Sequence, residues 1–243
     1  MIHYHGSPLS GNKETAIRFF NGRHAFVSYA RMDQLDVVME VCQSFALDNG
    51  AYSAWKQEKE LDIAGYKKLV DELKHHPCFD FCIIPDVIDG SEKDNDLLLK
   101  DWRFDKFISS PVWHMHESFE RLTRLATTYP RICFGSSGEF ATIGTANWWD
   151  RINQAFDCIS NKHGQVSTKV HGLRLLNPAI FTKLPFASAD STNVARNIGT
   201  ESRWKGAYQP VSMHVKAICI ADRIESYNSA NCYTSKPVQQ DLF

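Results

Sequence analysis

The sequence lacks the features that mark several large classes of protein. It has no C-x-x-C pair, no arginine-rich block and no low-complexity stretch. No apolar run approaches the roughly 18 residues that a membrane helix needs. Met1-Ile2-His3-Tyr4-His5 has no basic segment leading into an apolar one, so no signal peptide is expected. The seven cysteines are an odd number, and Cys82 and Cys133 sit inside apolar runs, as buried thiols of a reducing cytoplasm do. Net charge is −1, so any nucleic-acid partner must be held by a local patch rather than by bulk charge.

What is present is alternation. Short β-branched or aromatic runs near 2–7, 24–30, 44–48, 80–85, 110–115, 131–136, 169–175 and 186–190 read as eight strands. Helix-period segments at 32–43, 62–76, 91–104, 118–129 and 147–160 lie between them, with Ser91 and Ser118 as N-terminal caps. The unit between the first two strands reads as irregular, and a short eighth helix falls near 193–198. Repeated βα units of this length predict an α/β fold, a single-domain (β/α)8 TIM barrel over residues 1–200. A further helix (Val215, Ile218, Ala221, Ile224) and a tail follow over 201–243, with no linker between. A doubly wound open sheet is the structural alternative.

In such barrels the chemistry sits at the C-terminal ends of the strands. Here three of those ends carry an aspartate: Asp48-Asn49-Gly50, Pro85-Asp86 and Ala189-Asp190-Ser191. Each has a plainer reading, the first as a turn and the other two as helix caps. Asp190, however, follows an apolar strand, and burying one side of a carboxylate costs several kcal/mol unless it is paired or used. The paired histidines His3/His5 and His114/His116, with His171 and Asp190, suggest a second class, a metal-dependent barrel hydrolase. Otherwise these histidines are rim residues that bind phosphate or orient the aspartates. A binding module without catalysis is a third possibility.

Taken together, these motifs resemble those of the tRNA-guanine transglycosylases. Asp48-Asn49-Gly50-Ala51-Tyr52 is similar to that family's D-S-G-G-F-Q segment, and Asp86 with the acidic run Glu92 to Asp96 to its base-recognition aspartate and following helix. Gly135-Ser136-Ser137-Gly138-Glu139 resembles its base-pocket loop, and Ala189-Asp190-Ser191-Thr192 with Arg196 and Asn197 the strand bearing its nucleophile. The likeness is greatest to short phage and bacterial relatives that act on DNA, and it spans about residues 44 to 197.

The resemblance implies cleavage of the bond between a nucleobase and its sugar. Asp190 would meet the cation at C1′ and Asp48 would move protons. Asp86, Asn49, Gly50, Tyr52, Ser136, Ser137 and Gly138 would bind the base, with Tyr52, Trp55 and Trp113 as candidates to stack on it. His116, His171, Arg174, Arg196 and Asn197 would contact the nucleic acid and its phosphates. Lys183, Arg203, Lys205, Lys216 and Arg223 would add to the cationic supply. The implied partner is DNA with a flipped-out nucleotide, cytoplasmic and away from membranes, and no cofactor is expected. The likeness has gaps. Cys219, Cys232 and His214 lack the C-x-C-x-x-C…H spacing of the family's zinc subdomain, and Ala51 and Ser53 replace a glycine and the glutamine of the first motif. Activity is therefore expected to survive exhaustive chelation. Loss of activity in chelator, restored by zinc or manganese, would instead favour the metallohydrolase.

Overall fold

The computed structural model describes residues 1–199 and 209–235. Among these residues nine strands, all paired in parallel, form one sheet: β1 (Ile2–Ser7), β2 (His24–Ser28), β3 (Ser44–Asp48), β4 (Phe79–Ile83), β5 (Ser109–Ser110), β6 (Val112–His114), β7 (Arg131–Gly135), β8 (Lys169–Gly172) and β9 (Ser188–Ser191). Their order is β5-β4-β3-β2-β1-β9-β8-β7-β6. The two ends of this order, β5 and β6, are halves of one strand divided at Pro111. Proline has no N–H to give a ladder, and the break lets the first half pair with β4 and the second with β7. The ring closes through this strand, so the eight expected strands make a TIM barrel and the open-sheet alternative falls away.

Two apolar layers follow from the period-2 alternation of the strands. Tyr4, Phe26, Ala46, Phe81, Val112 and Cys133 fill the barrel interior. Their neighbours Ala25, Val27, Phe45, Leu47 and Ile132 face outward into the larger core beneath the helices. Among the described residues no helix is long and apolar enough to cross a membrane.

The expected helices are found as Leu35–Val41, Ile63–Leu73, Glu92–Asp101, Phe119–Thr128, Ala146–Ile159, Asn193–Asn197 and Met213–Glu225. Ser91 forms a full capping box with Asp94, and Ser118 accepts from the Arg121 N–H. Three details differ from expectation. The first connection contains a helix, Lys13–Phe20, capped by Asn12 once the irregular segment around Pro8 and Gly11 is passed. Short helices also form at Ala51–Lys56 and Pro178–Phe181. The eighth strand β8 stops at Gly172, because Arg174 takes a left-handed backbone, φ 60°.

One buried network fixes the rim where the site forms. The Glu117 carboxylate, fully enclosed, accepts from Arg121 Nη1 at 2.6 Å, from the His114 backbone N–H at 2.8 Å and from Asn95 Nδ2 at 3.0 Å. Asn95 Oδ1 in turn accepts from the Val87 N–H at 2.8 Å, so the loop after Asp86 and the turn after His114 hang on one carboxylate. Arg121→Ala leaves that charge buried and unpaired. It is expected to lower unfolding stability by about 3–5 kcal/mol, read from urea denaturation midpoints at constant slope. A loss below about 1 kcal/mol would remove this network from its supporting role.

Candidate active site

The three strand-end aspartates converge. Asp48, Asp86 and Asp190 line one cavity of about 490 Å³ at the C-terminal mouth of the barrel, together with Asn49, Tyr52, Ser136, Ser137, Gly138, Arg174 and Arg196. The parallel register makes this convergence automatic, since Ser28 pairs with Asp48 across β2 and β3, and Tyr4 with Asp190 across β1 and β9.

Each carboxyl has a different environment. Asp48 Oδ2 accepts from Ser28 Oγ at 2.8 Å and from the Gly50 N–H at 3.3 Å. Gly50 has φ 81°, and a Cβ there would meet the Ala30 nitrogen at 3.2 Å, so the turn expected of Asp-Asn-Gly is real and coexists with the site. Burial, aided by the nearby charges of Asp190 and Asp86, raises the Asp48 pKa to about 7, against the opposing bonds from Ser28 and Gly50. Asp86 is gripped from both sides. Asn49 Nδ2 donates to Oδ1 at 2.6 Å, and His114 Nε2 lies 2.8 Å from Oδ2. Asp190 is almost fully enclosed, and its Oδ1 accepts from the Arg174 backbone N–H at 2.9 Å. The left-handed turn at Arg174 aims that N–H at the carboxylate, a strained conformation placed at the site.

The mouth is aromatic and cationic. Tyr52 and Trp55 are 41% and 47% exposed, with ring centroids 5.7 Å apart. Trp55 Nε1 donates to Asp89 Oδ2 at 2.7 Å, and the Arg174 guanidinium lies 4.7 Å from the Tyr52 ring centroid while donating to the Ser136 carbonyl at 3.1 Å. Gly138, at φ 56°, packs where a Cβ would sit 3.1 Å from the His116 Cβ. The His116 ring is exposed, with Nδ1 2.8 Å from Ser137 Oγ.

Several expected placements need correction. Trp113 is fully buried in the outer core and cannot stack on a ligand. His171 is fully buried inside the barrel, stacked on Phe26 at 5.2 Å, and cannot reach a phosphate. Asn49 touches the cavity, but its amide is spent on Ile84, Asp86 and the Ala51 N–H, so it orients Asp86 rather than reading a base. Ser136 lines the cavity, with its Oγ accepting from Trp148 Nε1 at 2.9 Å and its own O–H left to donate. Asn197 bonds to Asn193 and does not line the cavity, whereas the exposed Arg196 does. Lys183 lies over the Trp149 ring, Lys216 and Arg223 belong to the helix Met213–Glu225, and Arg203 and Lys205 lie outside the described residues.

The metal-ligand arrangement does not assemble. His5 points out of the barrel to Glu225 Oε1 at 2.7 Å, and His3 Nε2 lies 2.9 Å from the Tyr227 carbonyl, so the first histidine pair faces the outer layer. Among the described residues no three His, Cys, Asp or Glu side chains form a group able to hold a metal ion. Two contributors were not singled out as site residues from the sequence. Ser28 is signalled only by its place at a strand end beside Asp48. His114 is expected from the sequence as a metal ligand or as a rim residue that orients the aspartates, and it lies against Asp86 as the second of these would.

The fold and site together define a TIM barrel with a carboxylate-lined mouth. No protein-family model and no curated protein matches the sequence. Solved structures match in fold. A protein assigned as a fructose-1,6-biphosphate aldolase from Coccidioides immitis aligns over 93% of this chain and 90% of its own, at 13% identity and TM-score 0.54. A mutant tryptophan synthase α-subunit from Pyrococcus furiosus aligns over 93% and 96%, at 11% identity and TM-score 0.50. At this identity the likeness establishes the barrel fold.

The raised Asp48 pKa has a thermodynamic sign. Below about pH 4 the carboxyl is neutral in folded and unfolded chains alike. Between there and pH 7 the unfolded chain ionises first, so stability falls as pH rises through that window, by up to ~1.4 kcal/mol per pH unit. Asp48→Asn removes this penalty. Relative to wild type it is expected to gain about 2 kcal/mol more at pH 8 than at pH 4, after discounting for the side of the carboxyl open to the cavity. Equal effects at both values would mean that Asp48 ionises normally.

Proposed function

We propose that this chain is a DNA glycosylase that cleaves the N-glycosidic bond of a modified nucleobase, acting in anti-phage defence. The observation that carries the reading is the convergence of Asp48, Asp86 and Asp190 in one cavity, where burial raises the Asp48 pKa to about 7. Breaking an N-glycosidic bond builds positive charge on the sugar and negative charge on the leaving base. An ionised carboxylate answers the first, and a carboxylic acid answers the second.

In this reading Asp190 stands beneath C1′ and meets the cation. Asp48 gives its proton to the departing base and then, as a carboxylate, takes one from the attacking water. Asp86 accepts hydrogen bonds from N–H donors on the base edge, its own direction set by Asn49 and His114. A base must leave the duplex to enter such a cavity. Tyr52 and Trp55 at the mouth offer it ring faces, and Arg174 and Arg196 offer cations for the adjoining phosphates. Enzymes are common on this fold, and the two similar structures are enzymes by their descriptions, which accords with a catalytic role. Hydrolysis is favoured over base exchange by Ala51 and Ser53, which replace residues of the exchange motif.

The test is incubation with unmodified and hypermodified phage DNA, with mass spectrometry for released bases and an assay for abasic sites. Free base and abasic sites are expected from the modified DNA. Asp190→Ala is expected to keep its fold by circular dichroism and to lose at least ~10³-fold in turnover, about 4 kcal/mol of barrier. Near-normal turnover by that variant would refute the assignment. Labelled guanine or 7-deazaguanine entering tRNA, with DNA untouched, would replace it by base exchange.

A further inference from the structure

His171 plays no part in the chemistry above, yet its surroundings are unusually specific. It sits on β8 in register with Ser188 of β9, fully buried, its ring stacked on Phe26 and met edge-on by Tyr4 and Phe81. Nδ1 lies 2.8 Å from Ser188 Oγ. Among the described residues Nε2 makes no hydrogen bond, and 3.4 Å from it lies Oδ1 of Asp190. A buried polar atom left in this state calls for a reason.

Counting protons supplies one. A neutral imidazole carries one N–H. If Nδ1 held it, the Ser188 hydroxyl would have to accept, its own hydrogen would have no acceptor among the described residues, and the Nε2 lone pair would face a carboxylate oxygen. If Nε2 holds it, Ser188 donates to Nδ1 and the Nε2–H lies on the side of Asp190, whose Oδ1 is 3.4 Å from Nε2. Only the second arrangement gives the Ser188 hydrogen an acceptor and sets a proton, not a lone pair, beside the carboxylate. A doubly protonated ring is opposed by burial, which lowers the pKa of His171. The charges around it divide, with Asp190 on β9 and Asp80 on β4 favouring protonation and Arg131 on β7 opposing it. The Tyr4 hydroxyl is directed elsewhere, to Asp80.

We infer that His171 is a positioning residue for Asp190: a neutral imidazole protonated on Nε2, which together with the Arg174 backbone N–H holds Oδ1 and leaves Oδ2 as the reacting oxygen. Among the described residues Oδ2 of Asp190 receives no hydrogen bond, whereas Oδ1 is approached from the barrel interior by His171 and from the rim by Arg174. A neutral donor suits the task. It fixes the direction of the carboxylate without cancelling the charge that must meet a cation.

The positional part stands on geometry alone, and the catalytic part rests on the function proposed above. Two measurements separate them. The first is a long-range ¹H–¹⁵N spectrum of the full chain, with His171 assigned through its contacts to the Phe26 ring. It is expected to show a protonated Nε2 and a bare Nδ1, unchanged from pH 8 to about pH 5.5. A proton on Nδ1, or a second proton gained within that range, overturns the inference. The second compares His171→Gln, which keeps an N–H near the Nε2 position, with His171→Leu, which does not. Base release is expected to fall about 10–100-fold in kcat with KM unchanged for the leucine variant, and to be largely restored in the glutamine variant. Full turnover in both overturns the positioning role. Absence of base release by wild type refutes the proposed function instead, and the tautomer spectrum then decides this inference by itself.

Discussion

A carboxyl withdrawn from water is costly to ionise, and the architecture of this barrel's mouth is arranged around the burial of Asp48 beside two other carboxyls. The cavity removes much of the water that would screen them. Asp48 answers by holding its proton, its pKa raised to about 7 by burial and by the two neighbouring charges. Asp86 is held between an amide and an imidazole, and Asp190 takes a backbone N–H from a residue in a strained conformation. Three chemically identical side chains are thereby given three characters.

Holding those characters apart requires a rigid rim. The enclosed Glu117 carboxylate joins the turn after His114 to the loop after Asp86, with Arg121 neutralising it. Pro111 divides the strand that leads into this region, so that the same strand closes the ring against both β4 and β7. On the opposite side, Ser28 and Asp48 stand in register on adjacent strands. Barrel closure, rim and carboxyl environments are therefore one continuous construction, with the buried polar residues on the inside and the exposed Tyr52, Trp55, Arg174 and Arg196 facing whatever enters.

The barrel was legible in the sequence because βα alternation survives local irregularity, and the three aspartates were legible because strand ends of a barrel share one rim. Depth was not legible. His171 and Trp113 sit in polar or aromatic runs near strand ends, but alternation sends one into the barrel interior and the other beneath the helices. His3 and His5 have the spacing of metal ligands, yet Tyr4 between them takes the inward position and turns both outward, His5 onto Glu225. The first helix lay behind Pro8 and Gly11, whose signals of irregularity masked the Asn12 cap. The left-handed turn at Arg174 has no sequence signal, since glycine and not arginine is the usual occupant.

The division of protons at the cavity floor is measurable without any substrate. With the aspartate carboxyls labelled with ¹³C, a titration followed by NMR is predicted to show one resonance with a midpoint near pH 7 that disappears in Asp48→Asn. If every aspartate carboxyl in the wild-type protein completes its titration below about pH 5, within the ordinary range for exposed groups, the cavity does not separate its carboxyls and the account is contradicted.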